Sequence, residues 1–151
     1  MIEGVVTKRL KVVPDERGHL MECLRNDDDL FIKFGQMYMT TTLPGVVKGW
    51  HLHRLQWDNV VCVKGMIKLT LYDAREGSAT QGEIGEYFIG EHNPMLVRIP
   101  PGLYHGWKCV SPEEAYIVNA PTEVYDYAKP DQEELPQDSP LIPYDWGVKL
   151  R

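Results

Sequence analysis

Three of the five histidines in this 151-residue chain sit where they could do chemistry. His51 and His53 are two apart in Lys48-Gly49-Trp50-His51-Leu52-His53. Residues two apart on a strand face the same side, so a strand here projects both imidazoles into one space. His105 follows three residues after Gly102 in Pro100-Pro101-Gly102-Leu103-Tyr104-His105, where the Pro-x-Gly turn reverses the chain sharply. Imidazole titrates near neutral pH, which suits proton transfer, and its neutral ring also binds transition metals. An isolated His-x-His pair can equally face solvent. The second histidine segment is what argues for an interior site.

Such side chains need a scaffold, and the rest of the sequence describes one made of strands. Glycine (13) and proline (11) punctuate short runs rich in Val, Ile, Thr and Tyr, among them 36–42, 58–63, 66–72, 86–90, 95–99 and 115–119. From Ile67 to Tyr72 apolar and polar residues alternate, the pattern of a half-buried antiparallel strand. No window of twelve or more residues carries a helical stripe. Lys64-Gly65 reads as the turn of a tight hairpin. Many short strands with regular turns predict an all-β sandwich or barrel. After about Glu123 the pattern dissolves into acidic residues and prolines. The aromatic residues Tyr125, Tyr127, Tyr144 and Trp146 predict an ordered, irregular segment packed over the barrel.

Composition narrows the function. The chain is 43% hydrophobic and 25% charged, enough for one core. We expect a single domain over 1–151, with N-terminal strands in 1–34, a barrel core at about 35–122 and a covering segment at 123–151. A net charge of -6, with the acid excess between Glu113 and Asp138, argues against a nucleic-acid partner. No stretch has membrane-spanning length and no apolar leader opens the chain, so no membrane partner is expected. Cys23, Cys62 and Cys109 are odd in number and lack a Cys-x-x-Cys pair, which fits a reduced, cytoplasmic protein.

The spacings Gly45-(5)-His51-x-His53-(4)-Asp58-(6)-Gly65 and Pro100-x-Gly102-x-x-His105 resemble the two cupin motifs. That resemblance implies a double-stranded β-helix, the cupin jelly roll, with both motifs inside the barrel. More of the chain is similar to the dTDP-4-dehydrorhamnose 3,5-epimerase family. The likeness runs through Asp15-Glu16-Arg17-Gly18, Gly45 to His51, Asp73 to Gly82 and Ile99 to Trp107. It ends at Asn119 to Tyr125, Asp138 and Asp145-Trp146.

The resemblance implies a homodimeric epimerase of a nucleotide-linked, dTDP-type 4-keto-6-deoxy sugar, without cofactor. His51 would be the base and Asp138 its carboxylate partner. Arg17, reaching in from the partner subunit, would hold the diphosphate, with Lys48 as a second cation. Tyr125 would stack on the base, and His53, Gln56 and His105 would line the pocket. Two positions depart from the family. Asn119 stands where the family has its acid tyrosine, and an amide cannot lend a proton. Asp58 stands where the family has a lysine that steadies the enolate, and an ionised carboxylate would oppose that charge.

These departures leave a single-centre epimerase or a ketoisomerase open. Two further alternatives follow. His51, His53, Asp58 and His105 occupy the four ligand positions of metal cupins, a set suited to a divalent transition metal. A non-catalytic sugar-nucleotide-binding protein would keep the pocket and lose the acid.

Overall fold

The computed structural model describes residues 1–149, and the last two residues of the expected covering segment lie outside them. Alternating apolar runs become twelve strands: β1 Val6–Arg9, β2 Val12–Asp15, β3 Gly18–Met21, β4 Tyr38–Thr42, β5 Val47–Leu52, β6 Asp58–Lys64, β7 Met66–Asp73, β8 Ile84–Gly90, β9 Met95–Ile99, β10 Leu103–Cys109, β11 Ala115–Asn119 and β12 Glu133–Glu134. They form two five-stranded sheets, ordered β1-β9-β6-β11-β4 and β12-β5-β10-β7-β8, plus the separate hairpin β2-β3. Every named pairing is antiparallel. The described residues contain no helix. This is the expected all-β double-sheet class.

The sheets face each other across an apolar core. Ile67, Leu69 and Leu71 of β7 meet Val60 and Cys62 of β6, Val97 and Ile99 of β9, and Ile117 of β11. Burial of these aliphatic faces is the main force that holds the sheets together. One expected turn is corrected. Lys64-Gly65 does not close a hairpin, because β6 and β7 belong to different sheets. Gly65, at φ +71°, carries the chain across the core from one sheet to the other; a Cβ there would meet Ser111 Oγ at 2.7 Å.

The second sheet is covered on its outer face too. Trp50 of β5 is fully buried against Ile142 and Trp146 of the segment after β12. Tyr144 Oη accepts from Thr70 Oγ1 (3.1 Å) and donates to Glu86 Oε1 (2.6 Å). Lys68 and Lys108 donate to the carbonyls of Gly147 and Trp146. Aromatic packing and these bonds order a segment whose sequence has no strand period.

A bulge between β5 and β10 aims the site. The register runs His105↔His51, then Trp107↔Lys48, so β5 carries one extra residue. Gly49 and Gly106 make this close approach: a Cβ on Gly49 would lie 2.7 Å from Gly106 Cα, and one on Gly106 2.8 Å from the Lys48 carbonyl oxygen. In a regular strand, residues three apart face opposite sides. The bulge instead lets Lys48 and His51 line the same cavity.

Candidate active site

A cavity of about 580 Å³, in the range that holds a small organic ligand, opens between the two sheets. The second sheet lends it Lys48, His51, His105 and Trp107; the first lends Tyr38, Thr40, Val60 and Asn119. His53 and Gln56 enter from the loop after β5, and Tyr125, Tyr127 and Gln132 from the covering segment. The three imidazoles converge: the His105 ring centroid lies 6.2 Å from that of His51 and 5.3 Å from that of His53.

Each ring has its own surroundings. His53 Nδ1 donates to the Asp131 carbonyl, and His105 Nδ1 donates to the Leu103 carbonyl at 3.2 Å. A carbonyl only accepts, so both rings carry hydrogen on Nδ1. Their Nε2 atoms face Asp58 Oδ2 at 3.7 and 3.5 Å. The other Asp58 oxygen accepts from Gln56 Nε2 (2.8 Å) and Asn119 Nδ2 (2.7 Å). Asp58 is thus a buried hub that orients two amides beside two imidazoles.

His51 differs, because among the described residues its buried Nδ1 has no hydrogen-bond partner. Its nearest carboxylate is Glu134 on β12, with Oε1 3.5 Å from Nδ1. β12 pairs with β5 in the register Glu134↔His51, so the covering segment itself delivers this carboxylate. Burial lowers the pKa of His51 below the usual 6.5, opposed by the Glu134 charge. The ring is therefore neutral near pH 7 and competent as a base.

The other expected residues divide. Lys48 Nζ donates to Thr40 Oγ1 (2.8 Å) and the Thr41 carbonyl (2.6 Å), which spans the mouth from β5 to β4. Tyr125 packs edge-on against Tyr127 at the rim, with centroids 4.9 Å apart. Arg17 is remote: it sits at the tip of the β2-β3 hairpin, largely exposed, paired with Asp15 at 2.7 Å. Asp138 also lies away from His51. It is exposed in a groove with Lys108 and Trp146, because the Trp50–Trp146 packing carries that part of the chain over the outer face. The four-ligand metal set does not assemble either. Ligand atoms of His53, Asp58 and His105 lie within 4.8 Å of one another, and His51 stands outside that group.

Comparison with known proteins places the whole chain in one family. Residues 1–151 fit the family described as dTDP-4-dehydrorhamnose 3,5-epimerase. The chain belongs to that family. Its relatives include the "Probable low-salt glycan biosynthesis epimerase Agl13" of Haloferax volcanii, 44% identical over 151 residues, covering 99% of this chain and 97% of the relative. The Bacillus subtilis (strain 168) spore coat polysaccharide biosynthesis protein SpsL is 37% identical over 151 residues, covering all of both chains. Among solved structures, a dTDP sugar isomerase of Desulfovibrio desulfuricans G20 is 33% identical, covers 99% of this chain and 95% of its own, and superposes with a TM-score of 0.93.

Two residues of this 3,5-epimerase family member escaped the sequence reading. Tyr38 opens β4, where only a general strand signal marked it. Glu134 lies in a segment without period and reaches His51 through a pairing 83 positions apart, a contact no local pattern announces. The pocket thus has the His51 imidazole on one sheet and hydroxyl and amide groups on the other.

Proposed function

We propose that the chain epimerises a dTDP-linked 4-keto-6-deoxy sugar beside its carbonyl, with His51 as the base and Glu134, rather than Asp138, as the carboxylate that orients it. Carbons next to a ketone are acidic. A neutral base removes the proton, the electron pair moves to the ketone oxygen, and the enolate regains a proton on its other face. This is proton transfer alone and calls for no redox cofactor. The observation that carries the reading is His51: neutral, lining the cavity, and 3.5 Å from Glu134. Tyr125 and Tyr127 offer an aromatic rim for the nucleotide base, and Lys48 a cation for its diphosphate.

A second subunit completes this reading. Among the described residues the β2-β3 hairpin pairs with no other strand, and it exposes Val12, Val13 and Leu20. An isolated hairpin is marginal in water, and a second protomer would cover it while bringing Arg17 to the neighbouring pocket. The three free cysteines fit a reducing compartment such as the cytoplasm.

The test is product analysis by NMR after incubation with dTDP-4-keto-6-deoxyglucose. The expected result is inversion at C3, C5 or both. Unchanged substrate at enzyme concentrations approaching its own would contradict the proposal.

A further inference from the structure

The base wall has an identified proton acceptor, but inversion also needs a donor on the opposite face. Asn119, on the facing sheet, cannot supply one. Its cross-strand neighbour can. In the β11–β4 pairing Asn119 stands directly opposite Tyr38. Asn119 Nδ2 donates to Tyr38 Oη at 3.0 Å and to Asp58 Oδ1 at 2.7 Å. Asp58 therefore fixes the amide, and the amide fixes the phenol. With its oxygen accepting from Asn119, the hydroxyl still has its own hydrogen to give, and among the described residues no protein acceptor takes it.

Position supports the role. Tyr38 lines the same cavity as His51 but belongs to the other sheet. The Lys48 bridge to Thr40 and Thr41 ties β5 to β4 across the mouth, so the cavity lies between the strand that carries His51 and the strand that carries Tyr38. A sugar ring between them presents one face to each. Burial raises the pKa of Tyr38, so the phenol keeps its proton at neutral pH.

We infer that Tyr38 is the catalytic acid, placed on β4 one strand over from Asn119 and poised to protonate the enolate on the face opposite His51. This inference rests on the epimerase reading. In the forward step His51 takes the proton of the carbon–hydrogen bond as its electron pair becomes the enolate. In the return step the enolate carbon takes the hydroxyl proton of Tyr38, leaving a phenolate, and the carbonyl re-forms. Solvent water then reprotonates the phenolate and receives the proton held by His51, which restores both groups.

The experiment compares the intact wild-type protein with Tyr38→Phe in D2O. NMR follows epimer formation and deuterium entry at the same carbon. The phenyl ring preserves packing on a strand already partly exposed, and a melting curve checks the fold. The expected result splits the two readouts. Epimer formation falls by about 100-fold or more, the scale of a lost general acid. Deuterium entry with retained configuration continues within about threefold of the wild-type exchange rate, since His51 still forms the enolate and returns a deuteron to the same face. A Tyr38→Phe variant in which inversion stays within about threefold of wild type, or a folded one in which exchange and inversion vanish together, overturns the assignment. A wild type that neither exchanges nor epimerises overturns the epimerase reading itself, and this inference with it.

Discussion

His51 and Glu134 meet at one distance, 3.5 Å, and the direction of their coupling is testable. Burial pushes the His51 pKa down and the Glu134 charge pushes it up. The base acts when deprotonated, so activity rises as pH climbs through that pKa. Glu134→Gln removes only the raising influence. Its kcat/KM profile should therefore keep its shape while the acidic limb moves to lower pH, with kcat down about tenfold or more as the ring loses its orienting partner. A limb that stays in place would separate Glu134 from the base. At this scale the sequence was most informative where local geometry decided the outcome. The two-residue spacing puts His51 and His53 on one side of a strand, and the resemblance to the two cupin motifs adds His105 to the same space. Asp138 lies in a different groove from His51, and nothing local in the sequence specifies where its aperiodic segment packs; Trp50, Ile142 and Trp146 decide that through long-range packing.

The elements show the same division. Strands such as β9 and β11 are legible as alternating β-rich runs, because side-chain period and burial agree. The sheet that each strand joins is not written in its own residues. Lys64-Gly65 has hairpin chemistry, yet the strands on either side of it separate into different sheets. The β5–β10 bulge is likewise hidden until Gly49 and Gly106 are seen back to back. Gly106→Ala forces a Cβ to 2.8 Å from the Lys48 carbonyl oxygen. We expect a loss of about 2 kcal/mol or more in urea unfolding, with activity falling further than the unfolded fraction explains, since His51 and His105 move with the bulge. A variant as stable and active as wild type would mean the close approach is not needed.

For the whole molecule, two sheets hold the cavity between them and the covering segment packs on one side while placing Glu134 beside His51. Among the described residues the β2-β3 hairpin joins neither five-stranded sheet. Light scattering should therefore find a dimer, and Arg17→Ala should raise KM with little change in kcat, the signature of lost ground-state binding. A monomer with full activity would remove the second subunit from the account.

The central claim is that His51 takes a proton from carbon within this lumen. The most direct measurement is mass and NMR detection of solvent deuterium at C3 or C5 of the 4-keto sugar, with wild type and His51→Gln side by side in D2O. Uptake by wild type and a decrease of about 100-fold or more in the folded variant are expected. Equal uptake by both proteins would contradict it.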